Sequence, residues 1–236
     1  RFDFGRSFRT RAPVTDEILA RAPISITLGT WAIVVASMVG IPIGVLSAVK
    51  QYSLFDTVPS IIALALAAMP GFWVGMLLLY YISLRFGLLP AAGIGTWRHF
   101  VSPIICLALP EAAIILRYTR SSMLETIRQD YIRTVRAKGA PERTVIWVHA
   151  MKNALLPIIT IIGVDFTLMI GNAIATETLY SMPGLGRTLV EAIRMKDLPV
   201  VMGLTLCFAG ICSIVVLVVD LLYAFIDPRI KAKYSR

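Results

Sequence analysis

The sequence predicts an all-α protein that crosses a membrane several times, and three properties of the chain agree on this. Of its 236 residues, 57% are hydrophobic and only 16% are charged, whereas about 25% charged is usual in soluble domains. The mean hydropathy is +0.77. The apolar residues are concentrated in long runs, and a helix needs about 20 such residues to cross a bilayer core. A soluble helical protein would include amphipathic helices, so that alternative is disfavoured.

Five apolar runs are long enough to be membrane spans. The first two, at about 24–49 and 57–84, carry no charged residue. The next three predicted spans lie at about 100–118, 154–176 and 198–226, and their apolar runs include single acids at Glu111, Asp165 and Asp220. Residues 1–23 precede the first span as an N-terminal arm. Prolines within or beside the spans are expected to kink helices, with hinges as the alternative: Pro42, Pro59, Pro70 and Pro110.

The distribution of Lys and Arg predicts the orientation of the spans. One side, which holds Lys50, the loop 119–152 and the C-terminal tail, carries 12 basic residues, and the other side carries 10. Without the arm, the second number falls to 5. Because basic loops stay in the cytoplasm, we expect the loop 119–152 and the C-terminus to be cytoplasmic.

Several function classes are disfavoured by composition and motifs. The net charge of +9 fits cytoplasmic loops near anionic lipid, and no basic stripe interleaved with aromatics suggests nucleic acid. Cys106, Cys207 and Cys212 fall within spans, where cysteine is usually a small packing residue. No ATP-binding GxxxxGK[ST] motif, metal-ligand spacing or catalytic triad pattern is present. An intramembrane enzyme is therefore a weak alternative.

The loop 119–152 is too polar to span the membrane, and its pattern predicts two short helices. Ser122 and Glu125 form a possible capping box before a helix from Met123 to Lys138. Gly139 then suits the helix end, and a second helix is expected over 141–152. From the residues alone, the loop is either an amphipathic segment on lipid or a docking surface for a soluble partner.

Several stretches resemble the permease subunits of binding-protein-dependent ABC importers, in particular the dipeptide/oligopeptide/nickel group. The main ones are YTRSSMLETIRQDYIRTVRAKG and HAMKNALLPIIT, with FDFGRSF, MPGFWVGMLL, TETLYSMPGLGRTLVEAI and VVDLLYAFIDPRI in the same order along the chain. Where the wider family has Glu-Ala-Ala, this chain has Val135-Arg136-Ala137. The family has one more span and part of an external domain first. We therefore expect the first family span to be missing and the arm to lie outside.

The resemblance implies the transmembrane domain of a type I ABC importer in a prokaryotic inner membrane. The expected partners are a second, homologous permease, two cytoplasmic ATPase subunits and an extracytoplasmic binding protein, besides membrane lipid. ATP and Mg would be held by the ATPase subunits, and this chain would bind no cofactor and have no enzyme activity of its own. Di- or oligopeptides are the expected solute. Nickel, a nickel chelate and glutathione are the alternatives.

The resemblance also makes residues 121–153 the coupling helices that contact the ATPase. Gly139 would permit a bend, Arg136, Lys138 and Arg143 would pair with acids on the ATPase, and His149 and Asn153 would tie the second helix to the next span. The expected coupling residues are Asp130, Arg133, Arg136, Ala137, Lys138, Gly139, Arg143, His149 and Asn153.

Four polar residues are candidates for the translocation pathway, because ionisable groups inside spans are costly unless paired or wet. They are Glu111, Asp165, Asn172 and Glu177. Asp165 could instead be protonated or bonded to a neighbouring span, and Glu177 could be a solvated cap. In the external loop, Pro183, Gly184 and Gly186 predict a tight turn that folds back toward the pathway or the binding protein.

Overall fold

The computed structural model describes residues 4–226, with side chains through residue 221. This part is helical, without β-strands, in agreement with the predicted all-α class. The helices are α1 (Val14–Val49), α2 (Leu54–Ala68), α3 (Gly71–Leu78), α4 (Arg98–Ile127), α5 (Asp130–Ala137), α6 (Glu142–Thr144), α7 (Met151–Leu179), α8 (Leu185–Arg194) and α9 (Leu198–Ile226). Two π-helical segments, Leu79–Arg85 and Val145–Ala150, continue α3 and α6.

The first two predicted spans differ from the observed helices at their start or in their middle. Helix α1 begins at Val14, so residues 14–23 of the predicted arm are helical. The second span is broken at Pro70, which has an extended backbone (ψ 132°) and precedes the first turn of α3. Among residues 4–226, four helices are long and apolar enough to cross a membrane, and a bent pair made from α2 and α3 with its π-helical extension brings the number to five.

The chain divides into two compact units, to which each of the long helices contributes separate parts. The arm unit contains residues 4–35, 69–108 and 166–215, and the loop unit contains residues 36–68, 109–165 and 216–226.

In the loop unit, two glycines allow α1 to approach α4 closely. A Cβ atom at Gly40 would lie 2.8 Å from the carbonyl oxygen of Ala112, and one at Gly44 would lie 2.7 Å from that of Leu116. Small residues four apart permit this kind of backbone contact between membrane helices. Beyond it, a buried cluster joins α1, α4, α5 and α7: Val45, Ala48, Met123, Ile132, Val145, Ile146, Ala150, Ala154 and Ile158.

A buried ion pair links the start of α2 to α4. Asp56 is 4% exposed, and its carboxylate receives two hydrogen bonds from the guanidinium of Arg120, at 2.5 and 2.9 Å. The hydroxyl of Ser47 and the backbone N–H of Tyr52 also donate to it, at 2.5 and 2.9 Å. The carboxylate thus joins α1, the turn after it, α2 and α4.

In the arm unit, hydrogen bonds to Asp197 link the chain before α1 to the turn between α8 and α9. Its carboxylate accepts hydrogen bonds from the Ser7 hydroxyl at 2.5 Å and from the backbone N–H of Phe8 at 3.0 Å. Burial alone would raise the pKa of Asp197. These donors and the N–H groups of Arg9 and Val200 outweigh it, so the pKa lies below its usual range.

Tyr180 makes a second buried link in the arm unit. Its hydroxyl lies 2.8 Å from that of Ser102 and donates to the carbonyl oxygen of Gly75 at 3.1 Å. Because Ser102 lies in α4 and Gly75 in α3, this contact holds the end of α7 against both helices. A Cβ atom at Gly75 would lie 2.8 Å from the Cys106 sulfur, so glycine is needed for the approach.

Replacing Asp56 by Asn is expected to destabilise the protein, because the Arg120 guanidinium then loses its charged partner. Removing one member of a buried ion pair costs about 3 kcal/mol at the low end of the measured range. The low end applies here because Arg120 is partly exposed. The check is the thermal unfolding midpoint of the purified protein in detergent. Asp130→Asn is the matched control, since Asp130 is 96% exposed and should change the midpoint little. Equal midpoints for the two variants would contradict the role of Asp56.

Asp197 is expected to make part of the stability depend on pH. Because its pKa is lower in the folded chain, its contribution is complete above the unfolded value, about 3.9, and is lost as pH falls through the folded value. The thermal midpoint of wild type minus that of Asp197→Asn should therefore shrink on acidification below about pH 4. A difference that stays constant or grows in acid would overturn this assignment.

Candidate functional site

A polar groove lies between α4 and α7 in the loop unit. Its volume is about 490 Å³. Four side chains on one face of α4 line the groove, and α7 adds two that are one turn apart. The lining residues are Ile114, Arg117, Tyr118, Ser121, Ile161 and Asp165.

Two buried carboxyl groups occur at and beside this groove. Asp165 is 5% exposed and Glu111 is 4% exposed, and the two interact electrostatically. One oxygen of each, Oδ2 of Asp165 and Oε2 of Glu111, has no hydrogen-bond partner among the described residues. A buried acid without a full set of partners is costly in an apolar helix, so this side of the α4–α7 pair is unsuited to lipid contact.

The four predicted pathway residues are divided between the two units, and their role in a pathway stays a prediction. Glu111 and Asp165 lie together in the loop unit. Asn172 is exposed on α7 in the arm unit and does not line the groove. Arg117, Tyr118 and Ser121 were missed. Of these, only Tyr118, seven residues from Glu111 on α4, has a spacing that places it on the same helix face as Glu111. Arg117 directly follows a charge-free run, so the length of that run does not single it out.

Glu177 is a fully buried group that caps α8, so the alternative of a solvated cap is wrong. Its exposure is 0%. One carboxylate oxygen accepts a hydrogen bond from the Ser25 hydroxyl at 2.5 Å, and the other accepts one from the backbone N–H of Arg187 at 2.9 Å. The free N–H groups at a helix N-terminus favour a carboxylate in this position. Glu177 therefore joins α1, α7 and α8.

The two glycines of the predicted external loop lie where a Cβ atom would meet α7 or the Glu177 carboxyl. Gly184 directly precedes α8, and a Cβ atom there would overlap the Glu177 carboxyl group. At Gly186, a Cβ atom would lie 2.8 Å from the Cα of Ile174. Pro183 lies in the short turn between α7 and α8. The turn is thus tight, as predicted, and what it packs against is α7.

The loop 119–152 contains one separate helix, so the predicted helix boundaries are wrong. Helix α4 runs through to Ile127, and Ser122 lies inside it, where its hydroxyl donates to the Ala154 carbonyl at 3.0 Å. The break comes at Gln129, whose backbone is extended (ψ 148°). Helical structure then continues from Glu142 to Leu179. Apolar spacing alone could not distinguish a new helix from the continuation of a span.

The bend after α5 is held by backbone hydrogen bonds and an ion pair. Gly139 has a φ of +80°, its N–H bonds to the Arg136 carbonyl at 2.9 Å, and the Ala140 N–H bonds to the Val135 carbonyl at 3.4 Å. This is the Schellman pattern of helix termination. The Arg136 guanidinium donates to both oxygens of Glu142, at 3.1 and 2.6 Å. Arg136 is therefore already paired within the chain.

Helix α5 contacts α7 through a side-chain hydrogen bond and a buried apolar side chain. The Asn153 side-chain amide donates to the Tyr131 hydroxyl at 2.8 Å and to the His149 carbonyl at 3.1 Å. Ile132 is completely buried in the cluster of the loop unit. The other predicted coupling residues of α5 and its bend are exposed and available to a partner: Asp130, Arg133, Ala137, Lys138 and Arg143.

The helices, the polar groove and the bent loop define a polytopic membrane protein with a polar groove between two of its helices. The profile described as binding-protein-dependent transport system inner membrane component matches residues 40–232. The chain belongs to this family, which confirms the resemblance seen in the sequence and makes it a membrane-embedded transport subunit.

Two relatives are similar to almost the whole chain. The dipeptide transport system permease protein DppB of Escherichia coli (strain K12) is 40% identical over 262 residues, covering 98% of this chain and 77% of that protein. The oligopeptide transport system permease protein AppB of Bacillus subtilis (strain 168) is 40% identical over 243 residues, with 97% and 76% covered.

Solved structures with low sequence identity share the fold. An inward facing structure of the MetNI methionine ABC transporter matches with a TM-score of 0.77 at 16% identity, covering 89% of this chain and 96% of that chain. An amino acid ABC transporter crystallised with histidines has a TM-score of 0.71 at 14% identity, with 89% and 94% covered. These likenesses confirm the ABC importer transmembrane fold.

Gly184→Ala is expected to destabilise the arm unit, because the new methyl group displaces the Glu177 carboxyl from its donors. Overpacking of this kind costs about 1–3 kcal/mol. Gly171→Ala is the matched control, since a Cβ atom there has open space around it. The measurement is the thermal midpoint in detergent. A loss of stability no larger for Gly184→Ala than for Gly171→Ala would contradict the packing described.

Proposed function

We propose that this chain forms half of the translocation pore of an ATP-driven importer of di- or oligopeptides. The observation that carries the proposal is the polar groove between α4 and α7, in a part of the chain that is otherwise apolar enough to span a membrane. A polar surface of this kind suits a water-filled path or a subunit contact. The names of the 40% identical relatives support peptides as the solute over the alternatives of nickel, a nickel chelate and glutathione.

Such a pore needs partners. We propose that a second, homologous permease closes the pore, that two ATPase subunits bind at the end formed by α5, and that a binding protein delivers the solute on the opposite side. The basic residues of the loop 119–152 favour the cytoplasm for that end. The C-terminus lies outside the described residues, and its cytoplasmic location stays a prediction. ATP and Mg would be held by the ATPase subunits.

The bend at Gly139 is the proposed contact with the ATPase. The ion pair between Arg136 and Glu142 stiffens it from within. This leaves Lys138 and Arg143 to meet acids on the partner. Beside them, Trp147 and Val148 expose 49% and 57% of their surface. A basic rim with exposed apolar side chains suits insertion into a protein cleft, where an aromatic side chain can anchor the contact.

Displacement of α5 can reach the groove through contacts within the loop unit. Ile132 and the Tyr131–Asn153 hydrogen bond join α5 to α7, and Asp165 lies on the same α7, three turns beyond Asn153. When ATP binding brings the two ATPases together, the proposed motion of α5 would shift α7 and change the shape of the groove. Hydrolysis would allow the return.

A single cysteine at position 138 tests the coupling. Cys106, Cys207 and Cys212 are first replaced, and Lys138→Cys is then cross-linked to the ATPase in the assembled importer. We expect an adduct whose yield changes between the ATP-bound and nucleotide-free states, because α5 moves with the ATPase. Lys50→Cys is the matched control, since Lys50 is exposed in the loop unit but lies outside α5, and it should form no such adduct.

The opposite result has a defined meaning. Labelling of Lys138→Cys by lipid-phase reagents, without an ATPase adduct, would make α5 an interfacial helix on the membrane surface and overturn the coupling role.

A further inference from the structure

We infer that the groove between α4 and α7 holds a short peptide by its two charged ends. Asp165, supported by the charge of Glu111, receives the terminal ammonium group, and Arg117 receives the terminal carboxylate. This inference rests on the proposed function, because it assumes that peptides pass along the groove, and it adds the residues that recognise them.

The acidic end of the site is a buried carboxyl group with one oxygen atom left unpaired within residues 4–226. Asp165 lines the groove and is almost fully buried, and its Oδ2 atom has no hydrogen-bond partner within residues 4–226. The Oε2 atom of Glu111 is in the same state. Two carboxyl groups that interact with each other and lack partners favour a cation between or beside them, and a primary ammonium group supplies one charge with three N–H donors.

The basic end of the site is also without a partner. Arg117 lines the same groove, is exposed, and makes no ion pair within the part of the chain that the structure describes. In particular, it does not pair with Asp165, although both face one cavity. A guanidinium group can bind a carboxylate through two parallel hydrogen bonds. A ligand with one charge of each sign would satisfy both ends together.

The dimensions fit a short peptide. The two charged side chains that line the groove, Asp165 and Arg117, do not form an ion pair with each other, which leaves a gap between them for a ligand. An extended dipeptide spans about 7 Å, and a tripeptide about 10 Å. The cavity volume of about 490 Å³ lies within the range of roughly 300–1,000 Å³ for small-molecule sites. At the basic end, the hydroxyl groups of Tyr118 and Ser121 also line the groove and can donate to or accept from the polar groups of the peptide.

A bare metal cation fits this set less well than a peptide. It would satisfy the two carboxyl groups but would leave the Arg117 guanidinium unpaired and subject to like-charge repulsion. The direction of α4 also orders the ligand, because Arg117 is closer than Glu111 to α5. The carboxylate end of the peptide would therefore point toward α5.

The test measures uptake of three peptides by the complete importer in liposomes: Ala-Ala, N-acetyl-Ala-Ala and Ala-Ala-amide. Each rate is divided by the wild-type rate for the same peptide, so that selectivity of the binding protein cancels. Asp165→Asn should lower uptake of Ala-Ala and of the amide roughly tenfold or more, since a charge-assisted hydrogen bond is lost. It should leave the N-acetyl peptide near the wild-type rate, because that peptide has no ammonium group.

Arg117→Gln should show the reverse selectivity. Uptake of Ala-Ala and of the N-acetyl peptide should fall roughly tenfold or more, and the amide should stay near the wild-type rate. Asp16→Asn is the matched control, because it removes an exposed carboxylate on the first turn of α1 and should not affect any of the three. Variants that lower all three rates equally, or none, would overturn the inference.

A second measurement covers peptides that the binding protein fails to deliver. A dipeptide with free ends and a photoreactive diazirine side chain is activated in the assembled importer. The labelled residues should lie within 114–121 and 161–165, and labelling should be lost in Asp165→Asn. Labelling elsewhere, or labelling that Asp165→Asn leaves unchanged, would overturn the inference.

The two proposals can fail separately. Failure of the wild-type importer to accumulate Ala-Ala with ATP would overturn peptide import itself. Normal ATP-driven uptake by wild type together with unaffected Asp165 and Arg117 variants would overturn the groove assignment alone.

Discussion

The absence of water in the bilayer core is the constraint on which the rest of this structure depends. Every polar group in an apolar helix must find its partners within the protein. Asp56 and Glu177 meet this requirement with several donors each, supplied from different helices. Within residues 4–226, Asp165 and Glu111 do not meet it fully, because one oxygen of each has no hydrogen-bond partner. Asp56 and Glu177 therefore hold helices together. Asp165 and Glu111 each keep an oxygen atom without a partner among the described residues, and only such an atom can recognise a ligand.

Helix α7 connects the two ends of the proposed mechanism. Helical structure is continuous from Glu142 to Leu179 and includes α7, which carries Asn153, which binds α5, and Asp165, which faces the groove. A continuous helix transmits displacement along its axis with little loss, whereas the flexible linker that a polar loop usually provides would absorb it. The buried Ile132 and the ion pair at the bend serve the same purpose on the side of α5.

Much of the fold was predictable from hydropathy, because long apolar runs leave few alternatives to membrane helices. The break at Pro70 was not, since an uncharged run looks the same whether it is straight or bent. The function of Glu177 was equally hidden, because its partner Ser25 lies 152 residues away. For the groove, the rarity of acids in spans identified Glu111 and Asp165 as candidates. The oxygen atom that each leaves unpaired within the described part of the chain, and the presence of Arg117 at the same cavity, are tertiary properties that no local pattern contains.

The π-helical segment Val145–Ala150 also restricts how this loop can change in length. Such wide turns often mark one residue inserted into an α-helix. Deleting one residue within the segment would restore regular α-helical hydrogen bonding and leave the flanking helical turns in their present orientation. Each residue turns an α-helix by about 100°, so a deletion between Asn153 and Asp165 would move these two side chains to different faces of α7. Changes of length in this part of the chain are therefore restricted to the wide turn itself.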